Sequence, residues 1–184
     1  MQQLRWLACA LLLPALAGCA TTAHRGFEQL PLLPPAAFGA AATGQQRLTL
    51  SRESGGAALV LDAAVEVDAM ELRVAGMLLG QRILLLVWDG RRLQESREPV
   101  VPAALSGRAI LRDLQLVYWP AQAIRAVLPQ GWRLEEQAAR RRLLHGATVV
   151  FEAERGDAVP LGNASLWNHP GQYRIDIESS YESR

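Results

Sequence analysis

Short alternating runs, each ended by turn chemistry, fill most of this chain and leave it few ways to fold other than as an antiparallel sheet. From Gln46 the segment Arg47-Leu48-Thr49-Leu50-Ser51-Arg52 alternates polar with apolar residues, the period of a half-buried strand. Ser54-Gly55-Gly56 turns the chain, and Ala57 to Asp68, Glu71 to Val74 and Gln81 to Asp89 read as three further strands, with Leu72 and Val74 on one face. Asp89-Gly90 is hairpin chemistry leading into Arg91-Arg92-Leu93-Gln94. Later runs at Trp132 to Glu136, Arg140 to Leu144, Ala147 to Glu154, Ala164 to Asn168 and Gln172 to Glu178 are parted by Gly146, Gly156-Asp157 and His169-Pro170-Gly171. Such short connections favour a meander over crossover units.

The middle of the chain changes period. Ala109, Ile110, Leu111, Leu114, Leu116 and Val117 fit a short helix, with Ser106 as its N-cap and Asp113 facing solvent. Trp119-Pro120 interrupts it, and Pro120 opens a second helix through Leu128 whose apolar face uses Ala123, Ile124 and Val127. Pro129 and Gly131 end that helix. Strands, two helices and strands predict an α+β, mainly antiparallel β domain: a half-open curved β-sheet, an incomplete barrel, with two or more short helices covering its concave face.

The N-terminus carries a second signal. Arg5 supplies a positive charge, Trp6 to Ala17 are apolar apart from Cys9 and Pro14, and Leu16-Ala17-Gly18-Cys19 closes the run with a lipobox pattern. The run is too short to cross a hydrocarbon core, which needs about 20 apolar residues, so residues 1–18 read as a cleaved lipoprotein signal. Cys19 is then the lipidated residue, bearing diacylglycerol and an N-acyl chain, and two or three chains give a stable anchor where one is marginal. Ala20 is not the aspartate that retains many Gram-negative lipoproteins in the inner membrane; by resemblance to that sorting rule the destination is the outer membrane, facing the periplasm. Residues 19–43 read as the acylated cysteine and a Pro- and Ala-rich tether, in which Leu30, Leu32 and Leu33 are apolar enough to cover an edge of the domain.

Removing 18 of the 184 residues leaves 166, a length suited to one domain. The 19 basic and 18 acidic residues become 18 of each once Arg5 is lost, so no net field draws a polyanion, and nucleic acid is not an expected partner. Cys9 leaves with the signal and Cys19 is acylated, so the domain has no thiol for a disulfide, metal or nucleophile. His24, His145 and His169 share no ligand spacing, and no metal is expected. Neither a Gly-x-Ser-x-Gly elbow nor a Gly-x-Gly-x-x-Gly turn is present. Glu135-Glu136 and the pair Glu152 and Glu154 sit beside arginines as solvated faces. The chain is not expected to be an enzyme or to use a cofactor. Arg140-Arg141-Arg142 has two readings: contact with anionic headgroups, or strand alternation that sends the middle arginine to the opposite face.

Glu71-Leu72-Arg73-Val74-Ala75-Gly76-Met77-Leu78-Leu79-Gly80-Gln81-Arg82 resembles the strand, Pro-Leu-Gly loop, strand unit of the LolA/LolB family of lipoprotein carriers and receptors. The following order is also similar: helices, Gly131-Trp132-Arg133-Leu134, hairpins, then Asn163-Ala164-Ser165-Leu166 and Tyr173-Arg174-Ile175-Asp176-Ile177, covering residues 46–178. Asp113-Leu114-Gln115-Leu116-Val117-Tyr118-Trp119-Pro120 is similar to the signature of a further family of bacterial lipoproteins, often associated with outer-membrane lipid and aryl-polyene gene clusters.

The LolA/LolB resemblance implies a LolB-like half barrel over residues 44–184 with helices as a lid on an apolar cavity. Candidate cavity-lining residues are Leu72, Val74, Leu84, Leu86, Leu114 and Trp119. It also implies a membrane-inserting loop at Met77, Leu78, Leu79 and Gly80, with Leu79 in the place of the family's protruding leucine and Leu78 in place of its proline. Burial of Met77 and Leu78 at a strand end is the competing reading of the loop. Trp119 likewise either lines the cavity or anchors the packing of the two helices. The function expected is binding of acyl chains of a lipid, glycolipid or lipoprotein and assistance in their transfer to the membrane. Expected partners are acylated cargo, membrane lipid and a periplasmic carrier protein. The alternative is a non-enzymatic structural or accessory lipoprotein that docks a periplasmic or transport partner through a sheet edge or the Leu-rich tether.

Overall fold

Alternation in the strands is realised as one sheet. The computed structural model describes residues 25–102, 105–156 and 160–180; the signal segment 1–18 and Cys19 lie outside the described residues. These form ten strands: β1 (Ala42–Arg52), β2 (Leu59–Val67), β3 (Leu72–Leu78), β4 (Gln81–Trp88), β5 (Leu93–Arg97), β6 (Trp132–Gln137), β7 (Arg140–His145), β8 (Thr148–Arg155), β9 (Ala164–Asn168) and β10 (Tyr173–Ser180). Helices α1 (Gly107–Tyr118) and α2 (Ala121–Val127) separate β5 from β6. The order across the sheet is β5-β4-β3-β2-β1-β10-β9-β8-β7-β6. Every neighbouring pair is antiparallel. Two five-stranded meanders are thus joined at β1 and β10, and the edges β5 and β6 stay unpaired with each other. The architecture is an open sheet, not a closed barrel, as the order of elements predicts.

Geometry requires the sheet to curve. Helix α1 packs against β5 at one edge and against β8 and β9 in the other half. In a flat sheet β5 and β9 would be roughly 29 Å apart, at six spacings of about 4.8 Å. The 12-residue α1 is only about 18 Å long, so it reaches both because it lies in the concavity. The concave face follows the period of two: Ala63, Val65 and Val67 on β2 and Leu72 and Val74 on β3 are buried, with Glu66 and Arg73 turned outward.

Turn chemistry sets the register. Leu79 and Gly80 join β3 to β4 with φ of 51° and 79°, the two positive values of a type I′ hairpin. The turn predicted at Asp89 spans residues 89–92. There Asp89 Oδ1 accepts from the main-chain N–H groups of Arg91 and Arg92 at 2.8 and 2.7 Å, which hold its carboxyl below the usual range.

Ser106 caps α1 as predicted, accepting from the Ala109 N–H at 3.3 Å. Two helix expectations are corrected. Asp113 is buried, not solvent-facing, because partners distant in sequence meet it inside. On α2 the buried residues are Ala121 and Ile124, while Val127, the last residue of this seven-residue helix, is exposed.

The segment read as a tether is partly core. Residues 25–28 are helical, and Phe27, Leu30 and Leu33 are buried. Gln115 holds Leu33 at both main-chain groups, accepting from its N–H at 2.8 Å and donating to its carbonyl at 2.9 Å. The Trp88 indole donates to the same carbonyl at 2.8 Å. Packing therefore extends N-terminally of the predicted boundary at residue 44.

Candidate functional site

Between α1 and the concave faces of β1–β4, β9 and β10 lies a cavity of about 90 Å³. Its walls are aliphatic apart from Gln46 and Asp113. Leu48, Leu61, Ile110, Leu114 and Ile175 are the half-buried residues of the lining and so form its mouth. A void of this size would hold several waters, yet apolar walls offer water too few partners, and such cavities stay dry.

Three of the six predicted lining residues, Val74, Leu84 and Leu114, are on this wall. Leu72, Leu86 and Trp119 are fully buried elsewhere. Leu86 lies against the start of α1, where a Cβ on Gly107 would come within 2.7 Å of it. Leu72 pairs with Trp88 beneath the segment at Leu33. Trp119 packs on Phe38 with ring centroids 4.8 Å apart, and its indole N–H has no partner among the described residues. For Trp119 the geometry is that of a packing anchor. Alternation identifies the concave face but not which stretch of each strand the helix covers, so the six were not separable by sequence.

Gln46 and Asp113 were the residues missed. Gln46 had a legible signal, since it shares the inward face of β1 with Leu48 and Leu50 and is polar there. It donates through Nε2 to the Leu161 carbonyl at 3.0 Å and to Tyr118 Oη at 3.2 Å, and Tyr118 donates to the Gly162 carbonyl at 2.6 Å. Asp113 is saturated: Arg112 donates twice, at 3.0 and 2.9 Å, Asn168 Nδ2 lies 3.0 Å from Oδ2, and the Tyr173 hydroxyl donates to the same oxygen. Arg112 stacks over Phe27, 3.8 Å from its ring centroid. Burial first, and then the Asp113 carboxylate, push the Tyr173 phenol well above its ordinary range. A buried carboxylate is tolerated because charge and hydrogen bonds both compensate it.

The predicted loop divides. Met77 and Leu78 are half-buried, and Leu79 is 96 % exposed at the tip with Gly80. One residue beyond the Asp62–Met77 ladder pair lie Leu61, at the cavity mouth, and Leu78. Val60 and Val100 are also exposed near this end of the sheet.

The arginine triplet follows the alternation reading. Arg140 pairs with Glu154 at 3.4 Å and Arg142 with Glu135 at 3.2 Å, while Arg141 is buried against Glu136 at 2.7 Å. Among the described residues no three of His, Cys, Asp and Glu are grouped so as to hold a metal ion. Leu30 and Leu33 are buried in the domain's own core and so are not a surface for a docking partner.

A family model described as "Protein of unknown function (DUF3261)" matches residues 43–181, all of the sheet but the first residue of β1, and both helices. No curated protein matches the chain.

Proposed function

The chain belongs to the DUF3261 family, and we propose that it is a LolB-like outer-membrane lipoprotein, anchored through acylated Cys19. In this reading it takes the acyl chain of a lipid, glycolipid or lipoprotein into its cavity and passes it to the membrane. The observation that carries the reading is the aliphatic cavity under α1, whose mouth is ringed by half-buried Leu48, Leu61, Ile110, Leu114 and Ile175. Apolar burial is worth about 25 cal/mol per Å² whether the chain lies in protein or bilayer, so the exchange is near balance and needs no covalent step.

Two features support a limited cavity beside a membrane-active tip. The sheet holds α1 at both ends, through Glu95 at Gly107 and Arg141 at Trp119, so the void takes a chain end while the remainder lies along the mouth. Leu79 is costly twice over: a left-handed backbone disfavours a leucine by about 1–2 kcal/mol, and its side chain lies open to water. Strain of this kind collects at functional positions, which supports Met77, Leu78, Leu79 and Gly80 as the loop that enters the bilayer. A periplasmic carrier protein would supply the cargo.

Native mass spectrometry of the Cys19→Ser chain without its signal tests the reading. Adducts with masses of fatty acids or phospholipids are the expected result. A purely apo species that also fails to take up added tetradecanoate would overturn it.

A further inference from the structure

The two ends of the sheet differ in charge. Six connections lie at the end that carries the Leu79 hairpin: 53–58, 79–80, 98–106, 128–131, 146–147 and 169–172. Their only Asp, Glu, Lys or Arg residues are Glu53 and Glu98. Both stay tied to the sheet, their main-chain N–H groups donating to the carbonyls of Gln172 and Ile83 at 3.1 and 2.9 Å. The connections at the opposite end carry Asp68, Glu71, Asp89, Arg91, Arg92 and Asp157.

Behind the uncharged tips stands a layer of one sign. Within two positions of this end the strands and helices present Arg52, Arg82, Arg97, Arg108, Arg133 and Arg174, all exposed, and no Asp or Glu. The same positions at the other end mix both signs, with Glu66, Glu136 and Glu154 among the arginines. Exposed apolar residues divide in the same way. Of the large apolar side chains exposed among the described residues, Val60, Leu79, Val100 and Val127 belong to this end and Met70 to the other. The described chain also begins here, since a Cβ on Gly26 would lie 3.1 Å from Trp132, the first residue of β6. Residue 25 is six positions from Cys19, an extended reach of about 20 Å.

A surface built for a protein partner keeps a polar rim and is about as apolar as the rest of the molecule. Hydrocarbon excludes charge from whatever enters it and tolerates arginine where the guanidinium can reach the headgroups. Uncharged tips backed by arginine, across the width of the sheet and close to the anchor, have the second layering. We propose that this whole end of the sheet docks on an anionic phospholipid bilayer, with Val60, Leu79 and Val100 in the acyl layer and Arg52 and Arg82 at lipid phosphates. The inference rests on the membrane-delivery reading above and widens its contact from one hairpin to an end of the domain. Ile110 of the cavity mouth is on the first turn of α1, at this same end.

The test uses the acylated full chain in vesicles of phosphatidylethanolamine and phosphatidylglycerol. An environment-sensitive fluorophore is placed on Val60→Cys, Leu79→Cys, Val100→Cys or Met70→Cys, all at exposed positions, so that labelling leaves the core intact. A quencher carried on the lipid acyl chains should remove about half or more of the emission at Val60, Leu79 and Val100, the depth of an interfacial segment, and leave Met70 unchanged. Arg52→Gln combined with Arg82→Gln should lower that quenching at least about twofold. Quenching confined to Leu79 overturns the wider surface and leaves the hairpin reading standing, whereas quenching at no position overturns both. Equal quenching at Met70 overturns the preference for this end, and unchanged quenching in the double arginine variant overturns the phosphate contacts.

Discussion

Arg141 of β7 donates through Nη1 to the main-chain carbonyl of Trp119 at 2.6 Å, and the same nitrogen lies 3.1 Å from the carbonyls of Leu116 and Val117. These are last-turn acceptors that α1 cannot satisfy itself. The helix has no acidic residue in its first turn and no basic residue in its last. The sheet supplies both, with Glu95 of β5 accepting from the Gly107 N–H at 3.1 Å and Arg141 at the other end, each with the sign that complements the helix dipole. Burial lowers the affinity of Arg141 for its proton, and Glu136 offsets part of that.

Arg141→Met should therefore destabilise the fold by about 2–4 kcal/mol, because three helix carbonyls lose a charged donor in a buried setting. Urea unfolding measures it. Arg141→Lys should recover only part of the loss, since one ammonium does not reproduce the reach of the guanidinium fork. A change below about 1 kcal/mol for Arg141→Met would mean that α1 is held by apolar packing alone.

The same residue shows where sequence reading stops. That Arg141 faces away from Arg140 and Arg142 follows from the period of two, and so do most strands of the sheet. Which helix end Arg141 reaches does not, because Trp119 is 22 positions away in the chain and the pairing depends on how far the sheet curls. Asp113 is the counterpart: read as a solvent-facing helix residue from its charge, it is buried by Asn168 and Tyr173, 55 and 60 positions away. The cavity shows the same limit. Val74 and Leu72 are equivalent by alternation, but one lines the void and the other is covered near Leu33.

Tyr173 predicts an alkaline weakness. Its phenol holds a proton to higher pH folded than unfolded, so its contribution is complete below the unfolded value of 10.0 and declines as pH rises past it. The slope is up to about 1.4 kcal/mol per pH unit. Tyr173→Phe should lower stability by about 1–3 kcal/mol at pH 7, because Asp113 loses a donor, and should unfold with a shallower dependence between pH 9 and 11. Parallel pH profiles for the two proteins would refute this.

Leu79 separates stability from delivery. A type I′ turn favours Asn before Gly, so Leu79→Asn should raise stability by about 0.5–1 kcal/mol, and Leu79→Glu should leave the fold intact. Both should lose transfer of a bound fatty acid to liposomes, measured by co-flotation, if the leucine enters the bilayer. Undiminished transfer with either variant would remove the loop from the delivery step.

Ala63 tests the cavity directly. It is 1 % exposed on β2 and faces the void, so Ala63→Ile adds three carbons where about 90 Å³ is empty. Small-to-large changes in a full core cost about 1–3 kcal/mol, but here the added methyl groups enter space already present, and a β-branched residue suits a strand. Stability should stay within about 1 kcal/mol of the parent or improve, while tetradecanoate affinity falls at least about tenfold, the effect of one lost apolar contact area worth about 1.4 kcal/mol. Together those results locate the ligand under α1. A stable variant with unchanged affinity would place any bound chain elsewhere on the protein.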